Sequence, residues 1–250
     1  IHVYDSLDPG SISSDQLICY NTIPDSISFN SLPQGAEGTY SYQWEESTDN
    51  INWTIMNGED NDILQPTNLI ETTYYRLNVT SDFGCGTKLT NTVTITVYDE
   101  FLSGDISDND TICYLEDPNQ INLIIMTTGA DGNYTYEWQY NDNGQWNTVS
   151  GATTTSYQPL GLSDSTYYRL VVSNTFCNLT LNTNIVNIVV NPLPDTFPII
   201  GDLIVCSNQN DANYTLSTTQ QNYRYEWFTN DGAIVGTNQS QNCLINWPSN

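Results

Sequence analysis

Apolar residues alternate with polar ones in short runs along this chain, and nowhere do they hold a helical spacing. Val93, Ile95 and Val97 alternate with Thr94, Thr96 and Tyr98, a period of two rich in β-branched residues that predicts a half-buried strand. Ile27 with Phe29, Tyr42 with Trp44, and Tyr75 with Leu77 and Val79 supply further inward-facing sets. Turn clusters separate them, among them Pro33-Gln34-Gly35-Ala36-Glu37-Gly38, Asn57-Gly58-Glu59-Asp60 and Asn141-Asp142-Asn143-Gly144. No segment places apolar residues at i, i+3, i+4 and i+7 over two turns, so the pattern predicts an all-β chain.

The pattern also repeats. Ile18-Cys19-Tyr20 recurs as Ile112-Cys113-Tyr114, and Tyr40-Ser41-Tyr42-Gln43-Trp44 as Tyr134-Thr135-Tyr136-Glu137-Trp138, both at an offset of 94. Trp53 matches Trp146, Thr73-Tyr74-Tyr75-Arg76-Leu77 matches Thr166-Tyr167-Tyr168-Arg169-Leu170, Cys85 matches Cys177, and Asn91-Thr92-Val93 matches Asn184-Ile185-Val186. A third copy begins with Val205-Cys206 and Tyr225-Glu226-Trp227 but has no counterpart of the Tyr-Tyr-Arg strand. Seven or so short strands in about 90 residues, with a core Trp on the second long strand, predict immunoglobulin-like β-sandwiches. The expected organisation is 1–8 as the last strand of an upstream module plus linker, 9–100 as module 1, 101–193 as module 2 and 194–250 as a truncated module 3. Three prolines in the linker Asn191 to Ile200 favour a semi-rigid connection, so the modules are expected to form an extended array. Module 3, lacking its last two strands, is expected to leave the strand Tyr223 to Phe228 as an unpaired edge.

Composition narrows the function. Twenty-nine acidic residues face four basic ones, a net charge of -25, which excludes nucleic-acid binding and attraction to anionic membranes. His2 is the one histidine, so His-based triads and metal sites have no imidazole to use. The 38% hydrophobic and 12% aromatic content argues for folding over acidic disorder, and no run reaches the roughly 18 apolar residues of a membrane helix. Paired carboxylates such as Glu45-Glu46 lie on opposite faces of a strand and mark no acid–base pair, so no enzyme is expected. The six cysteines fall as pairs within modules, Cys19 with Cys85, Cys113 with Cys177, and Cys206 with Cys243, without a CxxC motif. One disulfide in each of the two full modules, in an oxidising compartment, is the expectation; in the third copy Cys243 falls on a different strand, which leaves open whether it pairs with Cys206.

The order Ile-Cys, Tyr-x-Trp, Trp, Pro, Tyr-Tyr-Arg, Cys and Asn-x-Val resembles the Ig-like and PKD-like repeats of giant Bacteroidetes cell-surface adhesins, above all the SprB-type gliding adhesins of flavobacteria. The resemblance implies export by the type IX system, display on the cell surface and a role in adhesion and gliding. Its implied partners are a surface polysaccharide or substratum, neighbouring modules, and motility or secretion machinery through the parent protein. The reading is a non-catalytic stalk; the alternative is a carbohydrate-binding array of a secreted polysaccharide degrader.

Few side chains suggest a site. Trp44, Trp138 and Trp227 have the parity of core residues. Trp53 and Trp146 follow a turn and either pack over the hairpin or stack on a sugar ring. Arg76 and Arg169 face outward, where a cross-strand ion pair with Glu45 or Glu137 is expected. No cofactor is required, but calcium is chemically possible at the linker cluster Asp99, Glu100, Asp105, Asp108 and Asp110, which supplies hard oxygen ligands.

Overall fold

The first repeat folds as β1 (Ser11–Ile12), β2 (Gln16–Ile18), β3 (Phe29–Ser31), β4 (Tyr40–Ser47), β5 (Thr54–Ile55), β6 (Thr73–Ser81), β7 (Thr87–Leu89) and β8 (Val93–Val97). The second adds β9 (Asp105–Ile106), β10 (Asp110–Cys113), β11 (Ile121–Ile125), β12 (Thr135–Asp142), β13 (Gln145–Thr148), β14 (Ser156–Tyr157), β15 (Thr166–Asn174), β16 (Leu179–Asn182) and β17 (Val186–Asn191). These come from a computed structural model that describes residues 3–36, 38–82, 86–217, 225–235 and 242–248. Among the described residues every regular element is a strand.

Each repeat is an Ig-like sandwich. In the first, a sheet of order β2-β8-β6-β4-β5, with β7 also on β6, faces the pair β1-β3. In the second, β10-β17-β15-β12-β13, with β16 also on β15, faces β14-β11-β9. The alternation read in the sequence is the reason: β6 alternates buried and half-buried side chains along all nine residues, and a period of two delivers one face to the core. Tyr75, Leu77 and Val79 meet Trp44, Ile12, Ile27 and Leu64 in one core. Trp138, Leu170, Val172, Ile106, Ile121 and Ile188 form the other. Trp44 and Trp138 are fully buried. Their indole N–H groups donate to the carbonyls of Asn61 and Thr154, both at 2.9 Å, so no donor is stranded.

A clamp built from the Asn-x-Val motif joins the two sheets. The last strand of each sandwich is broken, into β7 and β8 or into β16 and β17. In the break, the Thr90 and Thr183 hydroxyls accept from the backbone N–H of Leu77 and Leu170. The next residue crosses to the opposite sheet: Asn91 accepts from Ile12 N–H at 2.8 Å and donates to the Ile12 carbonyl at 3.3 Å. Asn184 repeats this on Ile106 at 2.7 and 3.1 Å. One amide thus bonds both the N–H and the carbonyl of a single residue on the first strand, Ile12 in module 1 and Ile106 in module 2.

The chain divides into two compact units, Ile1–Val190 and Asn191–Asn250. The second holds β18 (Ile199–Ile200), β19 (Ala212–Leu216), β20 (Ala233–Val235) and β21 (Asn242–Asn246) in a single antiparallel sheet of order β18-β19-β21-β20. The expected strand Tyr223 to Phe228 begins outside the described residues, and residues 225–228 form no strand. The stretch Ile204-Val205-Cys206, where the third copy's match begins, forms no strand either. The upstream strand expected at Ile1–Tyr4 lies partly outside the described residues, and Val3 and Tyr4 belong to no strand. The residues after them bond to module 1 instead, where Ala36 N–H donates to the Asp5 carbonyl at 3.0 Å.

Replacing Asn184 with Ala strips partners from both backbone groups of Ile106 and should destabilise module 2 by about 1–3 kcal/mol. Urea unfolding of the variant checks this, and a midpoint equal to that of the parent would mean that water replaces the clamp without loss.

Candidate functional site

The feature that distinguishes this chain from a string of independent beads is a disulfide between Cys19 and Cys177, with Cα atoms 5.8 Å apart. It joins module 1 to module 2. The expected pairings, Cys19 with Cys85 and Cys113 with Cys177, are therefore corrected: Cys19 takes Cys177, and Cys113 is free and exposed. Cys85 itself lies outside the described residues. Cys206 and Cys243, whose pairing the sequence leaves open, carry free thiols, the first exposed and the second buried in β21.

Strand direction explains the exchange. β2 runs parallel to β8, pairing Gln16 with Ile95 and Ile18 with Val97. Cys19 therefore stands beside Tyr98, whose N–H donates to the Ile18 carbonyl at 3.0 Å, at the end where the chain leaves module 1. β7 begins at Thr87 at the other end, some eleven residues back from Tyr98 along β7 and β8. At ~3.3 Å per residue that is roughly 35 Å, whereas a disulfide tolerates no more than about 7 Å between Cα atoms. The turn between β15 and β16 in module 2 occupies the corresponding end, which faces the exit of module 1.

That turn is built to carry its cysteine. Asn174, 1% exposed at the end of β15, accepts from Cys177 N–H at 2.8 Å. It donates to the Asn133 carbonyl at 2.9 Å and to the Asp131 carboxylate. These amide donors, with the Asn133 side chain first, hold the Asp131 carboxyl below its ordinary range. Phe176, at the tip, meets Tyr98 edge to face with ring centroids 5.4 Å apart.

The linker is fixed as well. Leu102 and Thr128 exchange both backbone bonds, at 3.0 and 3.1 Å, and Ala130 N–H donates to the Asp99 carbonyl at 2.9 Å. Phe101 is buried and stacks on Tyr134 at 5.9 Å. Gly129 sits at φ 82°, and any Cβ there would collide with the Glu100 carbonyl oxygen, so the close approach requires glycine. Asp5, Asp8, Gln34 and Ala36 repeat these bonds at the entry of module 1.

This use of the linker bears on calcium. Asp99, Glu100, Asp105 and Asp108 are exposed. The Asp110 carboxylate accepts from Thr111 N–H at 2.8 Å and from Asn119 N–H at 2.9 Å. The Asn119 bond is the largest cause of its lowered pKa. Among the described residues no three His, Cys, Asp or Glu side chains are grouped to hold a metal ion. The linker cluster is not gathered into a cation site.

Trp53 and Trp146 are half-buried, each with one ring face occupied. The Arg76 guanidinium lies 3.9 Å from the Trp53 centroid and that of Arg169 4.2 Å from the Trp146 centroid. Arg76 also pairs with Glu45 at 2.6 Å. In module 2 the expected ion pair with Glu137 is replaced, because Gln139 stands opposite Arg169 in the register. Arg169 donates to the Gln139 carbonyl oxygen at 2.7 and 2.9 Å, and Gln139 donates on to Glu137 at 2.9 Å.

A depression of about 540 Å³ between Tyr140–Asn143 and Gly161–Thr166 presents Tyr140, Asp142 and Asp164 among amide and hydroxyl groups.

The sequence profile described as "Domain of unknown function (DUF8696)" matches residues 8–99 and again residues 102–192. No curated protein matches the sequence. Among solved structures the chain is similar to Sidekick-1 immunoglobulin domains 1–5, at 12% identity and TM-score 0.36, over 82% of this chain and 44% of that one. It is also similar to the three N-terminal domains of the bacteriophage RB49 outer capsid protein Hoc, at 8% identity and TM-score 0.41, over 76% and 71%. A third is the fibronectin(III)-like modules of Clostridium thermocellum CbhA, at 9% identity and TM-score 0.29, over 76% and 95%. The chain thus spans less than half the length of the Sidekick-1 structure.

Replacing Arg76 with Gln uncovers the Trp53 face and should raise acrylamide quenching of its fluorescence. The accompanying stability loss should stay within about 1 kcal/mol, since the ion pair is partly exposed. Unchanged quenching would show that the guanidinium does not cover the ring in solution.

Proposed function

From the premise that this chain belongs to the DUF8696 family, two of whose domains it carries in tandem, we propose that it is a non-catalytic extracellular spacer. In this reading it forms part of the stalk of a cell-surface adhesin, with surface gliding as the setting that its repeat pattern suggests. The observation that carries the proposal is the Cys19–Cys177 bond between consecutive modules. A disulfide of this kind persists in an oxidising compartment outside the cell. It also gives the junction a second covalent connection beside the peptide linker, and resistance to tension is what a stalk needs. The net charge of -25 supports the same role, because like-charged filaments repel each other and stay soluble on a crowded surface. The adhesive contact, with a polysaccharide or a solid substratum, is assigned to other parts of the parent protein. The Arg-covered faces of Trp53 and Trp146 weigh against sugar stacking on those faces.

Pulling single molecules by their two ends tests this. With Cys19 and Cys177 bonded, the 158-residue separation between them cannot extend. Reduction should then release roughly 540 Å of contour length in the trace, at ~3.4 Å per residue. Bonds within modules would instead hide two separate stretches of roughly 220 Å each. A trace that reaches full length without reductant would remove the mechanical basis of the proposal.

A further inference from the structure

We infer that Cys113 is the open half of a second, identical staple, whose other half is the tip cysteine of a further copy of this repeat. The inference goes beyond the spacer reading, because it assigns a covalent site to a thiol that the structure leaves unbonded. It rests on the local geometry around each cysteine that follows the second strand of its repeat. Cys19 opens a turn in which Thr22 N–H donates back to the Cys19 carbonyl at 3.3 Å, with Asn21 at φ 58°. Cys113 opens the same turn: Glu116 N–H donates to its carbonyl at 3.1 Å, with Leu115 at φ 63°. Both turns are pinned to the loop before the Tyr-Tyr-Arg strand, through Asn21 N–H to the Leu69 carbonyl at 2.7 Å and Leu115 N–H to the Leu162 carbonyl at 2.8 Å. The two thiols therefore occupy one site in the two sandwiches. One is 8% exposed and bonded, and the other is exposed and free.

In sequence, Phe176-Cys177 of module 2 corresponds to Phe83-Gly84-Cys85 of module 1, so each repeat carries a phenylalanine shortly before this cysteine. Bond formation joins two thiols, which lose two protons and two electrons. A disulfide oxidant, such as oxidised glutathione or an oxidised dithiol protein, accepts them and leaves as two thiols.

The test replaces residues 194–250 with a second copy of residues 101–193 and maps the bridges by non-reducing peptide analysis after oxidation with glutathione disulfide. The expected map keeps Cys19–Cys177 and adds a bond from Cys113 to the copy's counterpart of Cys177, leaving the copy's counterpart of Cys113 open to alkylation. Cys113→Ser in that chain should leave the new tip thiol alkylated. A bond between the copy's own two cysteines, or an alkylated Cys113 beside an alkylated tip, would overturn the inference. The unaltered chain supplies a check that does not depend on the copy's folding. Iodoacetamide should label Cys113 and spare Cys19 and Cys177 until reductant is added. A native Cys19–Cys85 or Cys113–Cys177 bridge there would refute the staggered pattern outright.

Discussion

The junction of this protein depends on the parallel pairing of β2 with β8. That direction carries Cys19 to the exit end of its sandwich, while the turn before the last strand lies at the entry end. Had β2 run the other way, each module could have closed its own disulfide and the modules would be tied only by their linkers. With β2 parallel, the cysteine at the exit faces the tip of the next module, and the covalent bond forms between neighbours. By the chain-entropy model a loop of 158 residues is stabilised by about 5 kcal/mol. That is little more than a loop of 66 residues would gain. The gain of the staggered arrangement is thus mechanical and not chiefly thermodynamic.

The remaining contacts at the junction reinforce that bond. The linker adds no free hinge, because Asp99 and Leu102 are bonded to the turn at Thr128–Ala130 and Phe101 is sealed into the module 2 core. Asn174 stiffens the tip that delivers Cys177. Phe176 and Tyr98 shield the approach with apolar surface. The modules meet through a peptide on one side and a disulfide on the other.

Much of the fold was legible in the sequence. The strict alternation of Thr73–Ser81 has one reading, and the repeated Tyr-x-Trp located both cores. The linkage was not legible, for physical reasons. β2 spans three residues, Gln16–Ile18, too few for their pattern to state a direction. Equal cysteine counts in each repeat invite pairing within it, and a stagger by one module leaves the count unchanged. Asn91 and Asn184 were seen as a motif, yet their role required the break in the last strand to be known. Linker acidity suggested calcium because charge is visible in sequence and backbone bonding is not. Arg169 finds an amide where Arg76 finds a carboxylate, since glutamate and glutamine trade places between the repeats on β4 and β12.

The central claim, that the staple makes modules 1 and 2 turn as one body, is tested most directly by ¹⁵N relaxation of the full chain. In the oxidised protein, amides of both modules should report a single rotational diffusion tensor. In Cys177→Ser, with only the linker remaining, the modules should report shorter and unequal correlation times. A single, unchanged tensor in that variant would contradict the account, because it would show that the linker alone fixes the junction.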